Sequence, residues 1–220
     1  MFVAAVDGLP GSGKTTAIKL LSGRFRSLGM SFKRNSIGSA HSAEFVIPEA
    51  KKYKFGHPKR ACFLFNMRMN QLAAAEIESK SYDIEVMDRF LGSSFAYDIN
   101  GNQIPPKYLE WGKQAIKAKV DLILFFDVPF SVARSRKESK TMRDADFAQK
   151  LEQSYCRVAR EQNWIRIDAT QSPEKVADDC YNIIIAEFRR KQIIRIISLL
   201  RSISLLRSIL NNKSSTSRYR

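Results

Sequence analysis

GLPGSGKT, residues 8–15, is the stretch from which the rest of the chain is read. Gly8, Gly13, Lys14 and Thr15 occupy every fixed position of the phosphate-loop pattern G-x-x-x-x-G-K-[ST], with Leu9, Pro10, Gly11 and Ser12 between them. Residues 1–6 before the loop are an apolar run of strand length, and residues 16–25 after it carry Ala17, Ile18, Leu20, Leu21 and Phe25 at helical spacing. The loop is therefore expected where a strand turns into a helix.

That context matters because the chemistry depends on backbone geometry. Glycines at 8, 11 and 13 leave no side chain between amide N–H groups and a polyphosphate, and the helix N-terminus adds unpaired donors and a favourable dipole. Lys14 brings a positive charge to the β- and γ-phosphates, and the Thr15 hydroxyl is a hard oxygen ligand suited to Mg2+. A nucleoside triphosphate is the ligand such a loop takes.

The 220 residues with 44% hydrophobic content suit one α/β domain. No apolar run reaches bilayer length, and the first strand begins at once, so the expectation is a cytoplasmic protein without a signal peptide. Cys62, Cys156 and Cys180 are far apart and lack metal or redox spacing, which predicts free thiols. With His41 and His57 alone, zinc chemistry or a histidine-activated nucleophile has little to work with. The net charge of +15 is unevenly placed: residues 189–220 hold nine Lys/Arg and no Asp/Glu, leaving residues 1–188 at a net of +6. The body is thus only mildly basic, as suits a protein whose ligands are small phosphates rather than nucleic acid.

Further strands are expected at residues 30–33, 82–87, 120–127 and 164–167, and helices at 60–79, 147–161 and 173–188. Alternating strands and helices predict a three-layer α/β fold with a central, mainly parallel five-stranded sheet covered on both faces. Residues 34–42 read as a polar loop at a strand end, where Arg34 either meets an anionic ligand or is simply solvated. On the helix 60–79, Arg68 lies one turn after Leu64 and Phe65, so a guanidinium and apolar groups share a face. That pairing either holds a flat base or is an arginine snorkelling from the core. Asp88 and Arg89 end the third strand, where open α/β sheets bind ligands; they either hold Mg2+ and a phosphate or pair structurally. Arg134, Arg136, Lys137, Lys140 and Arg143 crowd residues 134–146, which serve either as a basic lid over phosphates or as a solvated helix face.

The tail from residue 189 repeats ISLLRS twice, at 197–202 and 203–208. A six-residue step advances a helix by about 240°, so Arg195, Arg201 and Arg207 fall on three sides. The expectation is a helical or frayed basic extension in weak contact, if any, with a membrane or nucleic acid.

The sequence resembles a known family, most clearly at residues 88–97. DRFLGSSFAY, residues 88–97, is similar to the thymidylate kinase signature, and it is accompanied in family order by the phosphate loop, FLFNMR, DLILFFDVP and WIRIDATQSPEKV. The resemblance covers residues 1–188 and leaves 189–220 as a separate basic tail. It implies transfer of the γ-phosphoryl of ATP to a deoxynucleoside 5′-monophosphate, most simply dTMP, with Mg2+ and in a homodimer. By position it implies that Gly8 through Thr16 and Arg134 bind ATP and that Thr15 and Asp88 serve the metal. Lys14, Arg89 and the lid residues Arg136 and Arg143 would then serve the transfer. Arg34, Leu64, Phe65, Arg68, Arg89, Ser94 and Tyr97 would line the acceptor. The chain departs from the family at Pro10, where an acid is usual, at Leu64, where an aromatic is usual, and at Arg34, whose Glu-Pro-Gly-Gly context is missing. A kinase for another nucleotide or deoxynucleoside, and a degenerate nucleotide-binding regulator, therefore stay open beside dTMP kinase.

Overall fold

The computed structural model describes residues 1–36, 43–54, 57–78, 80–137 and 139–216. Five strands, β1 (Phe2–Gly8), β2 (Phe32–Ser36), β3 (Ile84–Asp88), β4 (Leu122–Asp127) and β5 (Ile165–Asp168), form one sheet in the order β2-β3-β1-β4-β5. Every pairing is parallel. The expected α/β class with a five-stranded parallel sheet is what the chain forms, with helices packed around it. The strands match the five sequence runs, and β2 extends three residues further, to Ser36, because Lys33, Arg34 and Asn35 pair with β3 despite their polarity.

β1 lies between β3 and β4 and is buried along its whole length. Its run of Val3, Ala4, Ala5 and Val6 shows no alternation, as a central parallel strand covered on both faces requires. α1 (Lys14–Ser27) follows the loop and buries Ala17, Ile18, Leu21 and Phe25, each contributing up to about 1.5–3 kcal/mol when large. It ends at Leu28 and Gly29, the glycine taking a left-handed φ of 73°.

α3 (Pro58–Ile77) is the long helix expected from residue 60, and it starts with Pro58 just inside and His57 as cap, whose Nδ1 accepts from the Lys59 N–H. α8 (Ala145–Glu161) and α9 (Pro173–Thr216) are the other expected helices. Three more were not anticipated, α2 (Ala43–Lys51), α4 (Leu91–Tyr97) and α5 (Pro106–Lys119), while α6 (Phe130–Arg136) and α7 (Lys140–Arg143) fall in the basic stretch for which a helix face was one of the two readings. α4, α6 and α7 are too short for a helical period to show, α2 contains Pro48, and α5 buries only Gly112 and Ile116. The basic lid stretch is thus mostly helical, in α6 and α7. Of the polar loop expected at 34–42, residues 37–42, including His41, lie outside the described residues.

The chain forms two compact units, Met1–Asn182 and Ile183–Arg220. The first carries the sheet. All three cysteines are free, with Cys180 buried and Cys62 and Cys156 half-buried.

Candidate active site

The site grows from the carboxyl ends of β1 and β3, the two central strands. The loop after β1 has the backbone its sequence requires. Gly11 has a φ of 83°, and a Cβ there would stand 2.1 Å from the Ala133 carbonyl oxygen, so only glycine lets the loop lie against α6. Gly13 caps α1 without any side-chain hydrogen bond to the first-turn amides. Those amides are therefore left for a ligand at a positive helix end.

Lys14 is 5% exposed, and its Nζ donates to Gly8 O (3.0 Å), Leu9 O (2.6 Å) and Ser12 Oγ (2.7 Å). Burial, and then the nearby Arg89, push its pKa well below the ordinary lysine value. The ammonium is curled onto the loop, with all three protons satisfied by neutral acceptors. An incoming phosphate would offer it a charge-assisted partner in exchange.

Asp88 ends β3, level with Val6 on β1 and Ser36 on β2. Its Oδ2 accepts from Thr15 Oγ1 (2.7 Å) and from Arg34 Nη2 (2.6 Å). The pairing of Thr15 with Asp88 places a hydroxyl and a carboxylate, both hard oxygen donors, side by side beside the loop. Among the described residues no group of three or more Asp, Glu, His or Cys side chains is placed so as to hold a metal ion. The donor set therefore fits Mg2+, which takes one or two protein ligands and completes its shell with phosphate and water, rather than an all-protein cage.

Arg89 takes a left-handed φ of 68°, a conformation that costs a non-glycine residue about 1–3 kcal/mol. Its backbone N–H donates to Val6 O at 3.0 Å, which pins the strained turn to β1. The guanidinium Nη1 donates to Gly8 O at 3.1 Å, so the strain aims a fixed cation at the rim of the phosphate loop.

Behind this turn lies a buried chain of hydroxyls. Tyr155 Oη donates to Ser93 Oγ (2.9 Å), Ser93 Oγ donates to Asp7 Oδ1, and the Phe90 N–H donates to Asp7 Oδ2 (3.3 Å). Burial pushes the Asp7 carboxyl above the usual carboxylate range, against the pull of Ser93, Arg68, Arg89 and Lys14. Burial likewise raises the Tyr155 phenol, keeping it a proton donor. Gly92 makes the close packing possible, since a Cβ there would stand 2.2 Å from the Trp164 ring and 2.5 Å from Asp7 Oδ2.

Arg68 reaches Ser94 from α3, its Nη1 donating to Ser94 Oγ at 2.7 Å. It is 8% exposed and its Nε has no hydrogen-bond partner. Tyr97, on the same helix as Ser94, has its ring 6.3 Å from that of Phe147. Phe65 does not join Arg68: it is 1% exposed, with its ring packed edge-on to Tyr108 at 5.6 Å, because α5 covers that side of α3. Leu64 is half-buried on α3.

A cavity of about 480 Å³ opens between the loop, Asp88, Arg89, the end of α6 and the start of α9. Pro10, Gly11, Ser12, Gly13, Lys14, Thr15 and Thr16 line it, together with Arg136. Arg136 is anchored by Nη1 to Ala169 O (2.6 Å) and Nη2 to Thr170 O (3.0 Å). Arg134 is turned away, 5.8 Å from the Phe130 ring centroid, and Arg143 is exposed on α7 and does not line the cavity. Sequence reasoning missed Asp7, Ser93 and Tyr155, and also the far wall made by Ala169, Gln171, Pro173 and Val176, beside the lid residue Lys137. A carboxylate closing an otherwise apolar strand was the one available signal for Asp7.

A parallel sheet of this order with a phosphate loop after its central strand defines a P-loop nucleotide-binding protein. Residues 6–180 match the family model described as thymidylate kinase. The chain is 26% identical over 188 residues to a probable thymidylate kinase 1 of Saccharolobus solfataricus, covering 82% of this chain and 95% of that one. It is 27% identical to a thymidylate kinase of Fervidobacterium nodosum, covering 80% and 94%, and 28% identical to one of Oenococcus oeni, covering 83% and 94%. The chain belongs to the thymidylate kinase family, whose members are ATP-dependent nucleotide kinases.

Proposed function

We propose that the protein transfers the γ-phosphoryl of ATP to the 5′-phosphate of a deoxynucleoside monophosphate, dTMP to dTDP in the first instance. The observation that carries this reading is the convergence of two phosphate-binding features, the open α1 N-terminus with Lys14 on one side and Arg89 on the other. The relatives named above, thymidylate kinases by description, support the choice of dTMP.

An acceptor phosphate oxygen attacks the γ-phosphorus, the bond to the β-bridging oxygen breaks, and ADP leaves. The acceptor is already an anion at neutral pH, so no general base is required; positioning and charge neutralisation carry the rate. The loop amides and Lys14 hold the β- and γ-phosphates, and Arg89 grips the acceptor phosphate. Thr15 and Asp88 would hold Mg2+, which when bound neutralises phosphate charge. Arg68 and Ser94 face the acceptor base. Arg136, Pro173 and Val176 line a partly apolar side of the cavity suited to the adenine.

Among Arg134, Arg136, Lys137 and Arg143, we assign the contact with the phosphates to Lys137. It lines the cavity with Gly11 and Lys14, whereas Arg136 is tied to two carbonyls, Arg134 lies near Phe130 and Arg143 lies outside the cavity. A homodimer and a cytoplasmic location accompany this reading as the family resemblance implies.

ADP release with Mg-ATP, measured across dTMP, dUMP, dCMP, dAMP, UMP, AMP and thymidine, tests the proposal. A marked preference for dTMP is expected. Preference for another acceptor would show that Pro10 and Leu64 redirect the base or sugar contacts, and no turnover with any of them would overturn the kinase reading in favour of a nucleotide-binding regulator.

A further inference from the structure

The thymidylate kinase family model stops at residue 180, yet the helical chain continues to Thr216. In the second unit, Ile193, Ile194, Ile196, Ile197, Leu199, Leu200 and Ile203 are exposed, each by 40% or more. Seven large aliphatic side chains in water over eleven residues is a surface that calls for a covering partner. At about 100° per residue, Ile193, Ile196, Leu199, Leu200 and Ile203 fall within an arc of about 120°. Arg195 lies just outside one edge of this stripe and Arg201 beyond the other, both exposed. Over residues 193–203 the arginines therefore leave one continuous aliphatic stripe, with Arg189 and Arg207 in line with it only beyond its two ends.

Charge selects the partner. Residues 189–220 carry nine Lys/Arg and no Asp/Glu. A second copy of the tail would bring like charges together with no acid to pair them across the interface. A nucleic acid would satisfy the cations and leave the aliphatic stripe in water, and the one aromatic residue of 189–220, Tyr219, stands sixteen positions beyond Ile203. An anionic lipid surface satisfies both: aliphatic side chains enter the acyl boundary while arginines snorkel to the headgroups. Among the described residues no helix is long and apolar enough to cross a membrane, so the contact is one of lying on the surface.

We infer that the helix from residue 189 onward binds the surface of an anionic lipid bilayer through Ile193, Ile196, Leu199, Leu200 and Ile203, with Arg195 and Arg201 at the headgroups. This goes beyond the kinase reading and does not depend on it.

The test is co-sedimentation of the full chain with vesicles of phosphatidylcholine alone and of phosphatidylcholine mixed with phosphatidylserine. Two variants accompany it, one with Ile196→Ser, Leu199→Ser and Leu200→Ser, the other with Arg195→Gln and Arg201→Gln. ADP release without vesicles and the helical circular dichroism signal report that each variant folds. Binding about tenfold or more tighter to the phosphatidylserine vesicles is expected, since each cation near such a surface adds to affinity. The serine variant should lose binding at every salt concentration, and the glutamine variant should lose chiefly the preference for phosphatidylserine. Vesicle binding undiminished in the serine variant overturns the inference. So does binding to duplex DNA that the serine substitutions leave unchanged while vesicles are ignored. A larger oligomer that the serine variant dissociates without lipid, with no vesicle binding, overturns it in favour of a second copy.

Discussion

The phosphate loop and the acceptor side are built on different plans. The loop is one uninterrupted stretch, Gly8 to Thr15, whose proposed ligand groups are backbone amides and two consecutive side chains, Lys14 and Thr15. The proposed acceptor side draws Arg68 from α3, Arg89 from just after β3, Ser94 from α4 and, behind them, Asp7 from β1 and Tyr155 from α8. The loop depends on local conformation, and the acceptor side on five elements holding station against one another. A change in the first should act on the chemistry directly, whereas a change in the second should divide between substrate binding and stability.

Lys14→Ala breaks the comparison at its strongest point. Loss of the charge over the transferring phosphate should lower kcat by about a thousandfold, with melting temperature little changed, since the ammonium is held only by loop acceptors. Retention of most activity in steady-state assays would dissolve the site. Lys137→Ala should lower kcat by about a hundredfold with a smaller effect on the KM for ATP, and Lys137→Arg should restore much of it. An equal loss in Arg134→Ala or Arg143→Ala would move the lid role elsewhere.

On the other side, Arg68→Ala removes a charged donor from Ser94 and should reduce kcat/KM for the monophosphate by about tenfold to a hundredfold, leaving the KM for ATP unchanged. A matching rise in the KM for ATP would show that the two sides are not separate. Ser93→Ala takes a hydroxyl from between Tyr155 and Asp7 and leaves both buried groups short of a partner. Denaturant unfolding should show a loss of about 1–3 kcal/mol.

The smallest effect is a pH dependence away from the phosphate loop. Glu85 is fully buried on β3, accepts at 2.6 Å from Asn35 Nδ2, and is pushed up by burial against the pull of Asn35 and Lys33, with Glu78 adding to the rise. A carboxyl whose folded pKa is raised stabilises the fold fully below its ordinary value of 4.5, and that contribution is lost as pH rises through the folded value. Glu85→Gln should flatten this loss in melting temperature against pH; an unchanged profile would mean that another group sets it.

Much of the fold was legible because its signals are local. The apolar runs of β1 and β4 and the spacing of Ala17, Ile18, Leu21 and Phe25 survive without any neighbour, and so do the loop glycines. Short helices such as α4 and α6 left no period to read, and α5 shows few apolar positions because it buries only Gly112 and Ile116. The acceptor residues were visible as types but not as contacts. Phe65 and Leu64 looked alike beside Arg68, and only the presence of α5 explains why Phe65 turns into the core.

By itself the sequence determined the phosphate loop, the parallel α/β class and the family, since each rests on residue order and on the stereochemistry of glycine, strand and helix. Only the tertiary structure decided which basic side chains line the cavity, that Thr15 meets Asp88, and that Asp7, Ser93 and Tyr155 form one buried chain. Those are contacts between residues 62 to 86 positions apart, and their partners are set by how strands and helices pack rather than by neighbours along the chain.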